Sequence, residues 1–444
     1  MTAKSHLEEL SKGINDFSLK IAVIGMGYVG LPTAIAFHNA GFSVVGIDNS
    51  KQKLESIESG SSPITDELSL EIPSGERWTI SSSYSDHIPS CSVAVICVPT
   101  PVNKSLEPNL SYVISAISEI IETKNQDQNI AIVMESTVHP GTTMQCLSEI
   151  IGNRHPSSLG ISIAYCPERV SPGEGGRGVS EVPRVIGSES PELTEVISSL
   201  YGSITSGGIH PVSSIEVAEA SKLVENAQRD IDIAFINELA ILLPKMGLDV
   251  EEVLDAASSK WNFHRHTPGL GVGGHCIPVD PHYYIEFAKK FGVASALSPA
   301  ARALNSSMPE HSAREMAKLC EGSPKKILVL GYSYKPNVSD TRETPVKPFI
   351  ESVIDGGTSE VFIWDEWVEN NHVTELATII SDPYSLTEID CIVIGTAHDE
   401  IVNLDWEKMK KIMNLPRIYD SRRCLNPENM EKIGWTFHAI GRPI

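Results

Sequence analysis

Short apolar runs alternate with stretches of helical periodicity over the first half of the chain. "KIAVIG" (20–25), "FSVVGID" (42–48), "SVAVICVPTP" (92–101) and "NIAIVMESTV" (129–138) each read as a strand. Between them "LPTAIAFHNAG" and "LSYVISAISEIIETK" read as helices. Strands alternating with helices predict a parallel sheet with crossover helices. "ISIAYCPERV" (161–170) and "EVPRVIGSES" (181–190) extend that sheet. Residues 213–246 differ in having no glycine and only one proline. Ser213 or Ser214 could cap them, and Val217, Ala220, Leu223 and Val224 recur at helical spacing, so one helix of about thirty residues is predicted. A second alternating block opens with "KKILVLGYSYKPNVSDTRETP" (325–345) and continues through "EVFIWDEW" (360–367), "DCIVIGTAH" (390–398) and "RIYDSR" (417–422).

The pattern predicts an α/β protein: two Rossmann-like parallel-sheet domains joined by a helical middle domain with one long helix. The expected divisions are a polar N-terminal extension (1–19), a first Rossmann domain (20–211), a helical central domain (212–310) and a second Rossmann-like domain (311–444). A chain of 444 residues is too long for one small core, which agrees with this division. The formal net charge of −22 argues against a duplex nucleic-acid binder, which would show a basic face. Any anionic ligand must then be met by local cations and helix N-termini. The eight cysteines, at 91, 97, 146, 166, 276, 320, 391 and 424, form no CxxC pair, so neither a structural zinc nor a disulfide framework is expected. The first twenty residues carry no apolar signal core, and no run of 18 apolar residues occurs. No membrane span and a reducing, cytoplasmic setting are the expectations.

"GMGYVG" (25–30) is G-x-G-x-x-G, weak alone but strong between a strand and a helix. Gly25 permits the tight turn, Gly27 a close approach to a pyrophosphate, and Gly30 close helix–strand packing, with Tyr28 and Val29 between them. The helix N-terminus offers its N–H groups to phosphate. Asp48, eighteen residues after Gly30, ends the next strand, where a carboxylate accepts ribose hydroxyls and repels a 2′-phosphate. NAD is therefore favoured over NADP. Thr100 and Thr137 each follow a predicted strand end and point to the cofactor cleft; loop capping is the plain alternative.

"GVGGHCIPVDP" (271–281) holds one thiol in a heavily constrained turn. Metal ligation is disfavoured, since no second thiol and no HxxxH spacing accompany His275. Glycines 271, 273 and 274 allow close approach of a substrate to the backbone, and turn N–H groups stabilise a thiolate or an oxyanion. A nucleophilic Cys276 is the sharper reading, with a structural cysteine as the alternative. Beside NAD, such a thiol suits aldehyde oxidation through a thiohemiacetal and a thioester. Lys222 and Asn226, four apart on the long helix, and Asp280, four past the thiol, are candidate partners. A solvated lysine is the competing account of Lys222.

On these motifs, from "KIAVIGMGYVGLP" to "YDSRRCL", the chain resembles the nucleotide-sugar 6-dehydrogenases, the UDP-glucose and GDP-mannose dehydrogenase family. It resembles most the branch acting on UDP-N-acetylhexosamines. The UDP-glucose branch typically carries serine where His275 stands and lysine where Val279 stands. The resemblance implies NAD-dependent four-electron oxidation of a sugar C6 alcohol to the carboxylate, with UDP-N-acetylmannosamine favoured. UDP-N-acetylglucosamine, UDP-glucose or GDP-mannose are the alternatives, and outside the class stands a silent nucleotide-sugar-binding regulator. Such a regulator is expected to have lost the thiol, lysine or aspartate.

By the same resemblance Cys276 captures the aldehyde, Lys222 with its partner Asn226 stabilises oxyanions, and Asp280 assists proton transfer. Thr137 and Glu168 hold a water. Arg169 and Gly273 join the substrate contacts, Lys335 lies near the substrate phosphates, and Arg342 reaches toward the cofactor. Arg422 matches an arginine at the nucleotide end of the substrate, and Arg265 one that reaches a neighbouring subunit's substrate. A homodimer through helix 213–246 is expected. The glycine-rich stretch after Glu168, Asn109 and His282 depart from the family pattern.

Overall fold

The structure, a computed structural model, describes residues 3–64, 70–103, 108–169 and 178–443. The chain forms two compact units: Met1–Glu225 with His282–Phe291, and Asn226–Pro281 with Gly292–Ile444. The stretch expected as a helical middle domain is divided between them.

In the first unit, eight strands form one sheet. They are β1 (Lys20–Ile24), β2 (Ser43–Ile47), β3 (Trp78–Ser81), β4 (Val93–Ile96), β5 (Ile130–Met134), β6 (Ile161–Tyr165), β7 (Arg184–Ser188) and β8 (Ile209–Pro211). Their order is β3-β2-β1-β4-β5-β6-β7-β8, parallel except where β7 runs antiparallel to β6. The strands are apolar almost throughout because both faces are covered. Ile21, Val23, Val93 and Val95 enter one core layer, and Ala22, Ile24, Ala94 and Ile96 the other. The N-terminal segment, expected as a polar extension, is a helix over Ala3–Asn15 that buries Leu10 and Ile14 in the first layer. Its apolar positions are too few to stand out from the polar residues around them.

In the second unit, β9 (Lys326–Leu330), β10 (Glu360–Trp364), β11 (Thr378–Ile379), β12 (Cys391–Ile394), β13 (Arg417–Asp420) and β14 (Thr436–Ala439) form an all-parallel sheet. The order β11-β10-β9-β12-β13-β14 repeats the first six positions of the other sheet. The two sheets also share a turn. Gly25 (φ 92°) and Gly331 (φ 86°) follow β1 and β9, and a side chain at either would strike the carbonyl of Cys97 or Thr396. Asp48 Oδ2 accepts the Met26 N–H at 2.7 Å, and Asp365 Oδ2 accepts the Tyr332 N–H at 2.6 Å. Both units therefore carry the doubly wound plan, with its ligand crevice beyond the strand carboxyl ends.

The predicted long helix spans Ile215–Leu242, 28 residues, and tightens into a 3₁₀ turn over Leu243–Met246. It is amphipathic in the inverse sense. Glu219, Lys222, Asn226, Asp230 and Asn237 are buried, at spacings of three, four, four and seven. Val217, Val224, Phe235 and Leu242 are exposed, at spacings of seven, eleven and seven. With about 3.6 residues per turn each set returns to one face, and the two faces are opposed. Leu223 is buried as its periodicity predicted, whereas Val217 and Val224 from the same predicted set face outward.

Candidate active site

In the first unit the glycine turn is built for a dinucleotide. A side chain at Gly30 would overlap the Gly25 carbonyl at 1.8 Å, so the turn and the helix Gly30–Ala40 pack without one. Nothing lies within 4 Å of the place a Gly27 side chain would occupy, which leaves the turn open where a pyrophosphate approaches. Asp48 is buried. Its Oδ1 accepts the Ser50 N–H at 2.8 Å, and its Oδ2, beside Met26, also meets Lys53 Nζ at 3.3 Å. A carboxylate accepts about four hydrogen bonds, so the adenosine ribose can share this one. The residues fit NAD. Thr100 and Thr137 are brought together at the ends of β4 and β5, where the Thr100 hydroxyl donates to the Thr137 carbonyl at 2.8 Å. The Thr100 carbonyl accepts from the Tyr283 hydroxyl at 2.7 Å.

Glu219 was not singled out in the sequence, yet it fixes this region. Its carboxylate accepts the Gly141 N–H at 2.6 Å and the Thr143 N–H at 2.9 Å, capping the helix Thr142–Ile151 that follows Thr137. Burial pushes the Glu219 carboxyl up, and the two backbone donors oppose that shift. One turn later the buried Lys222 donates to the Glu168 carbonyl at 2.5 Å. A solvated lysine is thereby ruled out. Arg169, expected at the substrate, makes a two-point ion pair with Glu225 (3.0 and 2.8 Å) and donates to the Pro183 carbonyl. The glycine-rich stretch after it lies, over 170–177, outside the described residues.

In the second unit Asn226 Nδ2 donates to Asp280 Oδ2 at 2.5 Å, both side chains buried. The Cys276 carbonyl accepts the N–H groups of Val279 (3.0 Å) and Asp280 (2.8 Å). Cys276 thus stands half-buried in the turn that leads into the helix Asp280–Lys290.

The glycines before the thiol also permit close packing within the protein. Side chains at Gly273 and Gly274 would meet Tyr334 at 2.6 and 2.9 Å, and one at Gly271 would meet the Asn305 carbonyl at 2.8 Å. The Gly274 N–H donates to the Arg342 carbonyl at 3.0 Å. They let the thiol loop lie flat against the loop of residues 334–345. Behind it, Asn305 donates to buried Asp230 and accepts from Asn237, and the Asn237 amide oxygen takes the Gly269 N–H. Arg302 neutralises Asp230 at 2.6 Å.

The remaining arginines fall into two groups. Arg342 is forked onto Asp340 (2.9 and 2.6 Å), and Arg265 is paired with Glu251 and Asp255. Arg422 differs. It is half-buried, its Nε donates to the Gly395 carbonyl at 2.7 Å, and its Nη2, itself buried, has no hydrogen-bond partner among the described residues. Burial pulls its guanidinium down to about 10, which still leaves it cationic near neutrality. Gly269 makes room for it, since a side chain there would come within 3.3 Å of Nη1. Lys335 is half-buried on the turn after β9.

A dinucleotide turn with its acidic strand end, a second doubly wound unit and a thiol in the turn before a helix define an NAD-dependent oxidoreductase. The chain belongs to the UDP-glucose/GDP-mannose dehydrogenase family: that family's NAD binding domain matches residues 19–205, its central domain 216–307 and its UDP binding domain 328–427. It is 32% identical over 431 residues to the UDP-N-acetyl-D-glucosamine 6-dehydrogenase of Pseudomonas aeruginosa, covering 93% of this chain and 99% of the relative. The solved UDP-D-ManNAc dehydrogenase of Pyrococcus horikoshii superposes with a TM-score of 0.84 at 32% identity, over 96% of this chain and 99% of that one. A UDP-N-acetyl-mannosamine dehydrogenase from Staphylococcus aureus gives 0.78 at 28% identity, over 95% and 99%. Among the described residues no helix is long and apolar enough to cross a membrane.

Proposed function

We propose that this chain oxidises the C6 alcohol of a UDP-N-acetylhexosamine, with UDP-N-acetylmannosamine favoured, to the carboxylate through a thioester on Cys276. The observation that carries the reading is the buried Asn226–Asp280 bond, which fixes a carboxylate four residues past Cys276, where the turn that holds the thiol closes. NAD supplies the chemistry of hydride acceptance from C6, once in each oxidation. The chain's residues do the rest. Asp280 takes the proton of the C6 hydroxyl and later of the attacking water. Lys222, a buried ammonium, stabilises the alkoxide and the tetrahedral oxyanions. Cys276 adds to the aldehyde carbon as a thiolate and leaves as a thiolate when water cleaves the thioester. Thr137 and Glu168 orient that water. The balance is one water consumed, with two hydrides and three protons released per carboxylate formed.

Arg422 is the cation for the nucleotide end of the substrate, and Lys335 meets the diphosphate, as a chain of net charge −22 requires of local groups. His275 and Val279 favour the N-acetyl branch. The apolar outer face of the long helix favours a homodimer through that helix. Incubating the purified chain and NAD with UDP-N-acetylmannosamine, UDP-N-acetylglucosamine, UDP-glucose and GDP-mannose tests the reading. Two NADH per UDP-N-acetylmannosamine is the expected yield. Oxidation confined to UDP-glucose or GDP-mannose rejects the substrate, and a yield of one NADH rejects the four-electron course.

A further inference from the structure

We propose that His398 is a positioning residue for substrate binding: its imidazole fixes the loop that carries Lys335. The proposal rests on the reading that Lys335 meets the substrate diphosphate.

Three partners define the imidazole. Nδ1 lies 2.9 Å from the Asn337 backbone N–H, which can only donate, so Nδ1 carries a lone pair. Nε2 lies 3.1 Å from Asp365 Oδ2 and 3.1 Å from Ser333 Oγ. The Ser333 hydroxyl gives its one proton to the Lys335 carbonyl at 2.8 Å, so toward His398 it accepts. A carboxylate also accepts, so both neighbours require the proton on Nε2. Three independent bonds thus select one neutral tautomer. A proton on Nδ1 would set N–H against N–H at Asn337.

Ser333, His398 and Asp365 have the composition of a hydrolytic triad but not its order. Serine and aspartate share one ring nitrogen, and the serine proton is committed to a carbonyl, so no base activates the hydroxyl. What the network does is hold the chain on either side of Lys335. Before it, Ser333 ties its hydroxyl to the Lys335 carbonyl, and its own carbonyl accepts from Thr396. After it, Asn337 stands in the left-handed region (φ 57°), its N–H on His398 and its amide exchanging two bonds with Asp399 (3.0 and 3.1 Å). The residues after β12 therefore hold the lysine's backbone from both sides. A fixed backbone lowers the entropy lost when a flexible ammonium is brought to a phosphate.

Three substitutions separate this role from packing. His398→Asn keeps an acceptor near the position of Nδ1, His398→Gln keeps a polar group near Nε2 only, and His398→Ala keeps neither. The Ala and Gln variants are expected to raise KM for the nucleotide sugar about tenfold, the size of one lost hydrogen bond, while Asn stays within about threefold of wild type. kcat and KM for NAD are expected to stay within about twofold in all three. Lys335→Ala serves as the reference, and His398→Ala added to it should bring no further rise, since both act on one interaction. Calorimetric binding of UDP alone should follow the same order if any variant turns over too slowly. A Lys335→Ala variant with normal KM removes the reading beneath the inference. A raised KM in Lys335→Ala with normal KM in His398→Ala and His398→Gln overturns the inference alone, as do equal effects of all three His398 substitutions on kcat and both KM values.

Discussion

Asn226 donates to Asp280 across 2.5 Å in a buried site, and the Asp280 N–H in turn closes a turn on the Cys276 carbonyl. The bond ties the long helix to the residue that follows the thiol. Asn226→Ala leaves a buried carboxylate without this donor, which raises its proton affinity. We expect kcat to fall about 10- to 100-fold and its alkaline-rising limb to move to higher pH, since Asp280 is the proposed base. Asn226→Asp should be worse than Ala, because two carboxylates would share one site. Cys276→Ala should lower carboxylate formation by about 10³-fold or more with little change in melting temperature, as the thiol is only half-buried. Steady-state NADH formation across pH and a thermal melt check both. Undiminished turnover of Cys276→Ala would end the covalent course.

The outer face of the long helix makes a second prediction. Val217, Val224, Phe235 and Leu242 are 44 to 56% exposed on one stripe, while the opposite face buries polar groups that each have a partner inside the protein. Apolar side chains on one exposed face of an acidic chain suit association, and the proposed homodimer, by twofold pairing of identical helices, covers them. Light scattering should give twice the mass of one chain. Val224→Glu combined with Phe235→Glu should give single chains, because the two substitutions place four carboxylates in the same seam. A wild-type chain that scatters as a monomer and is fully active would exclude the pairing.

Much of this arrangement is written locally, and what is not local escaped the sequence. "GMGYVG" and Asp48 are legible because a tight turn after a strand demands glycine at particular positions. The thiol loop is recognisable for the same reason, but the groups its glycines pack against are not. Tyr334 and Asn305, the groups they approach, come from distant segments. Pairing of Arg169 with Glu225 and of Arg265 with Glu251 and Asp255 depends on which carboxylate folds nearby, and any of 57 acidic residues could have served. The buried polar row Glu219, Lys222, Asn226, Asp230, Asn237 recurs at helical spacing. Lys222 and Asn226 are legible from their spacing beside the thiol chemistry, whereas Glu219, Asp230 and Asn237 are not, because apolar periodicity places the inner face elsewhere on the helix. His398 and Asp365 lie at strand ends of the second sheet, where the parallel with Asp48 could have marked Asp365.

Acid should weaken one identified contact of the second unit. Glu315 accepts from Lys318 at 2.6 Å and faces His438 at 3.7 Å. The bond to His438, then that to Lys318, holds its carboxyl down from the ordinary 4.5 to about 2. A carboxyl depressed on folding stabilises the native state above its unfolded value and loses that contribution as pH falls through its folded value. The window is therefore from pH 4.5 down toward 2. Glu315→Gln should lower the urea midpoint at pH 6, and the difference from wild type should shrink as pH falls below 4.5. Because the side chain is partly exposed, the difference is expected to be modest, about 1 kcal/mol or less. A gap between wild type and variant that is constant from pH 6 to 3.5 would contradict the assignment.

Arg422 offers the sharpest contrast between stability and function. Its side chain is half-buried, bonded to one carbonyl, and carries a buried Nη2 without a protein partner among the described residues. A cation with a buried, unsatisfied nitrogen destabilises the ligand-free fold, since the desolvation of that nitrogen is uncompensated. The arrangement makes sense if a ligand supplies the missing acceptor, in the way that strain at functional sites is held by the surrounding structure. Arg422→Met keeps most of the side-chain volume and removes the charge. The melting temperature without ligand should be unchanged or higher than wild type. KM for the nucleotide sugar should rise about 10- to 100-fold, while KM for NAD stays within about twofold. Added UDP should raise the melting temperature of wild type and leave that of Arg422→Met nearly unmoved, because only a ligand that binds the folded state stabilises it. A variant that melts lower without ligand and gains as much from UDP as wild type would assign Arg422 to the architecture of the turn after β13, and its orphan nitrogen to nothing the substrate uses.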